Sequence, residues 1–240
     1  MRFERLCDTP PVTVDFVDGA GGDLVIAFAS VGHDPVRAPS AEFVATATGR
    51  GTVAAGRRAL FVMDDSRSWA NAPGLAPALH AALAQVQARA PVTRIATIGL
   101  SMGAFSALVA ARILPVDVVL AFGPQWSAVP GVVPGETRWA RWTAALPPVI
   151  WPVAPVGAAR WTCLFHGMAD DLPQAQPFPP VPGVDHLLFP GLGHSDLVPH
   201  LKARGALAGM MQAALAGDRR RLLRIVAGAG GVRRAGQPPG

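Results

Sequence analysis

The segment ATIGLSMGAFSA, residues 96–107, places a serine two residues from a glycine on either side. The residues before the serine are apolar and β-branched, as in a buried strand, and those after it are small and helix-like. An abrupt turn from strand to helix would strain the serine backbone, and flanking glycines would let neighbouring backbone approach closely. The helix N-terminus beneath the serine would favour developing negative charge. The segment therefore predicts a nucleophile at Ser101.

Seven short apolar runs elsewhere in the chain predict the strands of a sheet. They cover residues 12–17, 24–30, 59–65, 94–100, 116–123, 161–167 and 185–191. Most are continuously apolar, which is typical of parallel strands covered by helices on both faces. The first run alternates, which predicts an edge strand that turns directly into the second run.

Helical patterns lie between these runs. One covers residues 71–90, with Asn71 as its expected N-cap, a second follows Ser101, and a third covers residues 196–216. The alternation of strands and helices predicts an α/β fold. We expect a mostly parallel sheet of about six to eight strands between helices, in three layers. Functional side chains in such folds gather at the carboxyl ends of the strands.

The net charge of +5 is concentrated at one end of the chain. Six arginines and one aspartate lie in residues 218–240, and the remaining charges balance. The charge therefore predicts no nucleic-acid surface, but a flexible basic tail at 218–240 behind one domain at 1–217. Residues 126–159 are rich in proline and tryptophan. We expect them to cover the carboxyl edge of the sheet as a cap-like excursion, through core packing or as an apolar pocket wall.

The remaining composition indicates an ordinary reduced globular protein. Cys7 and Cys163 make no disulfide framework, and no leader or uninterrupted apolar span is apparent. We therefore expect a cytoplasmic protein without a transmembrane segment. The histidine spacings favour no metal site. The sequence does not indicate the oligomeric state.

Candidate partners for the serine follow in chain order. A serine hydroxyl needs a base, and the base needs an orienting acid. Asp170 and Asp171 follow one strand in LFHGMADD, and His194 follows the last strand in LLFPGLGHSD. The order is serine, aspartate, histidine, and either aspartate is a candidate acid.

Three of these segments resemble motifs of the α/β-hydrolase superfamily. GLSMG resembles the nucleophile elbow, HGMAD the acid turn and GLGH the histidine loop, and the resemblance spans residues from about 24 to about 215. AFGPQ and GHSDLVPHLKARGAL more loosely resemble small bacterial α/β-hydrolase-fold proteins of unassigned substrate. The resemblance implies a serine hydrolase that cleaves a carboxylic ester or related acyl bond without a metal or organic cofactor. The spacing in HGMAD favours Asp170 over Asp171 as the acid.

The same resemblance suggests the groups around the triad. Met102 N–H and an N–H of the loop after residues 24–30, at Val31, are the expected oxyanion donors. Four residues at strand ends are candidates for substrate binding, namely Arg67, Trp69, Gln125 and Trp126. Arg67 would bind an anionic group, or else pair with Asp64 or Asp65.

Two alternatives to the hydrolase remain open at this point. An acyltransferase would use the same triad on a small-molecule acyl or ester substrate and a non-water acceptor. A non-catalytic binding protein would keep the fold without turnover.

Overall fold

A central β-sheet organises the fold in the computed structural model, which describes residues 1–32, 34, 36–50 and 56–236. Within these residues the sheet has nine strands in the order β1-β2-β4-β3-β5-β6-β7-β8-β9. The strands are β1 Glu4–Thr9, β2 Val12–Val17, β3 Asp23–Phe28, β4 Arg58–Asp64, β5 Arg94–Leu100, β6 Val118–Phe122, β7 Trp161–Gly167, β8 Val184–Phe189 and β9 Val232–Arg233. Strands β3 to β8 are mutually parallel, and β1, β2 and β9 join by antiparallel pairing.

Helices cover both faces of the sheet. They are α1 Val44–Thr48, α2 Leu75–Arg89, α3 Met102–Ile113, α4 Ala140–Thr143, α5 Leu172–Ala175, α6 Leu197–Ala203, α7 Ala206–Leu215 and α8 Arg219–Gly228. Along β3, Leu24 and Ile26 join one core with residues of α2 and α3, and Val25 and Ala27 join the opposite core with residues of α7. Both faces of the strand are therefore buried, and the predicted three-layer α/β architecture is confirmed.

Three local predictions differ from the structure. β2 was predicted to be an edge strand that turns directly into β3, but it lies inside the sheet, paired with β1 and β4. The helical pattern of residues 196–216 is broken at Gly205, whose φ of 64° ends α6 and starts α7. Asn71 does not cap α2, which begins after Gly74; its side-chain oxygen instead accepts hydrogen bonds from the excursion, from Ile150 N at 2.7 Å and Trp151 N at 2.8 Å.

The flexible basic tail predicted at 218–240 is wrong for residues 218–236, which form α8 and β9; residues 237–240 lie outside the described residues. Leu222 and Val226 of α8 are buried in the core. Two of the arginines share a fixed counter-ion, because buried Asp185 lies 2.7 Å from Arg219 Nε and 3.1 Å from Arg233 Nε. An amphipathic helix with paired arginines packs rather than remaining solvated.

The proline- and tryptophan-rich excursion, residues 126–159, packs onto the body of the domain. Trp139 and Ala154 are buried in the core shared with α2 and α3, and Trp126, Trp142 and Trp151 pack against it. The excursion contains a single short helix, α4, among its described residues. In the described ranges, no helix combines the length and apolarity needed to cross a bilayer.

Two buried histidines lie side by side on β7 and β8. His166 Nδ1 is 2.8 Å from His186 Nε2, and His166 Nε2 is 3.0 Å from the carbonyl oxygen of Pro124. The carbonyl can only accept, so His166 carries its proton on Nε2 and accepts from His186. Burial lowers the pKa of His166 to about 4 and that of His186 to about 2. Both rings are therefore neutral at physiological pH.

Folding stability should consequently fall in mild acid. Because both folded-state pKa values lie below the unfolded value of 6.5, the stabilisation is complete above pH 6.5 and is lost as the pH falls towards 4. Each proton that is taken up only on unfolding contributes about 1.4 kcal/mol per pH unit to the slope, and both histidines act in this direction. Urea unfolding between pH 7 and pH 4.5 measures this slope. The exposed His80→Gln variant should keep it, and a flat profile would contradict it.

Candidate active site

Ser101 occupies a sharp turn between β5 and α3. Its φ of 57° and ψ of −124° lie where a residue with a side chain is strained, and its N–H donates to Phe122 O at 2.8 Å. This bond holds the turn against the end of the neighbouring strand β6. The structure thus places Ser101 on the strained strand-to-helix turn that the GLSMG segment predicts.

The two glycines of the segment are required by close backbone contacts. A Cβ at Gly99 would lie 2.2 Å from the carbonyl carbon and oxygen of Gly103. A Cβ at Gly103 would lie 2.3 Å from the carbonyl oxygen of Phe28, at the end of β3. The elbow is therefore packed backbone to backbone, both on itself and against β3.

His194 and Asp171 form a buried pair at the same edge of the sheet. His194 Nδ1 lies 2.8 Å from Oδ2 and 3.0 Å from Oδ1 of Asp171, whose side chain is 1% exposed. Burial alone would raise the pKa of Asp171, but the hydrogen bond from His194 and the neighbouring charges, among them Arg138, outweigh it and lower the pKa. Asp171 is therefore an anion that holds Nδ1 as the protonated ring nitrogen and turns Nε2 away.

The sequence favours Asp170 as the acid that orients His194, but in the structure Asp171 bonds the His194 ring. The Asp170 side chain is 48% exposed and accepts from the backbone N–H of His194 at 2.6 Å, without contacting the ring. The Asp171 N–H bonds back to Gly167 O at 3.2 Å, which closes a turn and directs the two successive side chains to different places. Asp170 fixes the histidine loop, and Asp171 fixes the histidine ring.

Sequence reasoning missed three residues that surround this pair. Arg138 of the excursion donates to Asp171 Oδ1 at 2.9 Å and lies over the Trp139 ring, 4.4 Å from its centroid. The Trp139 ring in turn meets the His194 ring edge-on at 5.2 Å. A Cβ at Gly123, which has a φ of 53°, would lie 2.9 Å from His194 Cε1 and Nδ1. Only the position of Gly123 directly after a strand gave a sequence signal.

The Ser101 hydroxyl has a different partner from the expected one. Gln125 Nε2 donates to Ser101 Oγ at 3.0 Å, and no hydrogen bond joins Oγ to the His194 ring, both residues being within the described ranges. Ser101 is 3% exposed and the His194 side chain 12%. Ser101 is thus buried. Its N–H is bonded to Phe122 at the end of β6, and the next residue, Gly123, lies against the His194 ring.

The expected oxyanion donors belong to the start of α3 and to the loop after β3. Met102 is the first residue of α3, so its N–H has no acceptor within the helix. The loop carrying Val31 starts at the end of β3, against which Gly103 packs. This loop is held at its carbonyl side, where Arg67 Nε donates to Val31 O at 2.9 Å.

The four predicted substrate-binding residues are tied into the protein. Arg67 donates to the carbonyl oxygens of Val31, Asp65 and Arg37, which corrects its role as a binder of an anionic substrate group. Trp69 and Gln125 are buried and hydrogen-bonded to each other. Trp126 is half-buried and packs edge-on against Phe178 at 5.2 Å. Each of the four side chains thus has a partner within the protein.

Comparisons with known proteins identify the fold. No family model and no curated protein sequence matches the chain. Similar solved structures include the hyperthermophilic esterase of the archaeon Pyrobaculum calidifontis, 16% identical with a TM-score of 0.55 over 90% of this chain and 84% of that one. The capsule O-acetyltransferase of Neisseria meningitidis serogroup A is 11% identical with a TM-score of 0.55 over 85% and 93%. An esterase of Pyrococcus furiosus is 14% identical with a TM-score of 0.53 over 86% and 88%.

These similarities confirm the α/β-hydrolase fold that the sequence motifs indicate. At such low identity the likeness concerns architecture, and activity has to be argued from the site itself. Within the described residues, no three histidine, cysteine, aspartate or glutamate side chains gather where they could hold a metal ion.

Proposed function

We propose that this protein is a serine hydrolase that cleaves a carboxylic ester or related acyl bond of a small molecule. Ser101 is the nucleophile, His194 the general base and Asp171 the orienting acid. The observation that carries the proposal is the buried Asp171–His194 pair, 2.8 Å apart, after β7 and β8, at the same carboxyl edge of the sheet as the strained serine turn after β5. A neutral imidazole with its Nδ1 proton fixed by a carboxylate leaves Nε2 free to take a proton.

The proposed reaction runs through an acyl-enzyme. Ser101 Oγ bonds to the acyl carbon while its proton passes to His194 Nε2, and the carbonyl electron pair moves onto oxygen. The N–H groups of Met102 and Val31 stabilise that oxyanion at the start of α3. The carbonyl then re-forms, the bond from the acyl carbon to the leaving group breaks, and His194 gives its proton to that group. Water next adds to the acyl carbon and passes a proton to His194, and the bond to Ser101 Oγ breaks as Oγ takes that proton and the free acid leaves. The low pKa of Asp171 keeps it charged opposite the imidazolium.

The non-catalytic alternative has one specific observation in its favour. Ser101 Oγ accepts from Gln125 and makes no hydrogen bond to His194 in this structure. Catalytic hydrogen bonds are commonly long before substrate binds, so the geometry is compatible with a resting enzyme. Measured turnover therefore has to decide between the two.

Hydrolysis of p-nitrophenyl esters tests the proposal. Acetyl, butyryl, octanoyl and lauroyl esters are offered to the purified protein, and release of p-nitrophenol is followed. The covered serine and the packed excursion favour short acyl chains, so acetyl or butyryl esters should be cleaved fastest. A second series adds a sugar as acceptor, and formation of the acylated sugar in place of free acid would identify an acyltransferase. Background rates with all four esters, with and without acceptor, would contradict the proposed activity on such esters.

A further inference from the structure

A strained segment follows β4 at the edge of the sheet beside Ser101. Arg67, Trp69 and Ala70 all have positive φ, at 51°, 50° and 61°, which is costly for residues other than glycine. The carboxylate of Asp64 holds the segment, since Oδ2 accepts from both N and Oγ of Ser68 at 2.9 and 2.5 Å. The strain is therefore balanced locally, and it fixes the direction of the Trp69 side chain.

The Trp69 side chain is the first member of a buried hydrogen-bond chain that ends on the nucleophile. Trp69 Nε1 donates to Gln125 Oε1 at 2.8 Å, and Gln125 Nε2 donates to Ser101 Oγ at 3.0 Å. An indole N–H can only donate, so the amide oxygen must face Trp69 and the amide N–H must face Ser101. The polarity of the chain is thus set by Trp69.

We propose that Trp69 and Gln125 form a donor relay that activates Ser101. Gln125 touches the reacting oxygen, and Trp69 is a positioning residue that acts through it. This inference rests on the proposed function, since it assigns two further residues to the same reaction.

The relay favours the charged oxygen over the neutral hydroxyl. Because Gln125 occupies a lone pair of Oγ, the hydroxyl proton stays available for transfer to His194. A hydrogen bond to an oxygen that gains negative charge is shorter and stronger than one to a neutral hydroxyl. The contact therefore strengthens as the proton leaves Oγ, and again when Oγ leaves the acyl carbon, so it lowers barriers rather than ground-state energies.

The burial of both side chains separates this role from substrate binding. Trp69 is 0% exposed and Gln125 is 1% exposed, and the indole N–H and both ends of the Gln125 amide are already hydrogen-bonded within the relay. Losing the relay should slow bond formation at Ser101 without changing the affinity of the site. A residue that shaped the pocket would instead change the affinity.

Inactivation by a fluorophosphonate probe tests the relay through its two constants, the maximal rate kinact and the half-saturating concentration KI. In Gln125→Met, which keeps the volume but has no donor, kinact should fall about 10-fold to 100-fold while KI stays within about twofold. Trp69→Phe should lower kinact about 10-fold, because Gln125 loses the partner that fixes its polarity. The matched control is Trp161→Phe, which removes an indole bond to Asp185 at the opposite edge of the sheet and should leave both constants unchanged.

The double variant gives a readout that a merely structural role would not produce. If Trp69 acts through Gln125, adding Trp69→Phe to Gln125→Met should cause no further loss of kinact. The melting temperature should fall in Gln125→Met, because the buried indole N–H of Trp69 then lacks an acceptor. It should recover in the double variant, which removes that N–H. If Gln125→Met does not fold, Trp69→Phe compared with Trp161→Phe still tests the relay, because only the first of these removes the bond to Gln125.

The outcomes separate the relay from the function beneath it. Labelling of Ser101 in the wild type with an unchanged or higher kinact in the Gln125 variant overturns the relay alone. A KI that changes as much as kinact does also overturns it, as does a double variant whose loss of kinact is the product of the two single losses. A wild-type protein that the probe does not label at Ser101 overturns the proposed function and the relay with it.

Discussion

Replacing Ser101 with alanine should lower ester hydrolysis about 10⁶-fold, because it removes the oxygen that we propose forms the acyl-enzyme. The backbone should tolerate the change, since alanine and serine carry the same cost at the observed φ of 57°. The measurement is the p-nitrophenol release rate with the ester that the wild type cleaves fastest, together with the melting temperature.

The exposed Ser40→Ala variant is the matched control and should retain full activity. A residual rate far above background in a folded Ser101→Ala protein would show that another group carries the reaction. The N–H donors and His194 remain in that variant, so a small residual acceleration is expected.

Replacing Asp171 with asparagine should lower the rate about 10⁴-fold, whereas the same change at Asp170 should have less than about a 10-fold effect. Asparagine at 171 removes the charge opposite the imidazolium and one carboxylate partner of Arg138, which keeps its ion pair with Glu136. Asparagine at 170 still offers an oxygen to the His194 N–H. Steady-state kinetics of the two variants compares neighbouring, chemically identical substitutions.

The pair is its own control because both variants lose one negative charge within one turn of chain. Both should fold, which circular dichroism and melting temperatures check. The reverse order of effects would restore the Asp170 assignment that the sequence motif favours.

The central part of the fold was predictable because its residues have one dominant environment. β5 and β7 have the predicted bounds, since runs such as RIATIGL and WTCLFHG are apolar on both faces and suit a covered parallel strand. β1, with the sequence ERLCDT, was missed because it is an edge strand with few apolar residues. Its position depends on pairing with β2, which no local pattern reveals.

The errors at the site and at the end of the chain come from long-range contacts. The choice between Asp170 and Asp171 depends on the turn that closes on Gly167, and spacing alone does not determine it. The arginines of residues 218–236 were read as solvated, although Asp185 in an otherwise apolar strand was a sign of a buried counter-ion. Arg138 had no sequence signal, because it reaches Asp171 from an irregular segment 33 residues away.

We propose that Ser101 is a nucleophile activated by His194 and Asp171. Incubation with a fluorophosphonate probe, followed by peptide mass spectrometry of the labelled protein, tests this role. We expect a stoichiometric phosphonyl adduct on the peptide that carries Ser101, absent from Ser101→Ala and formed far more slowly by Asp171→Asn. No adduct on the folded wild type, or an adduct that persists in Ser101→Ala, would contradict it.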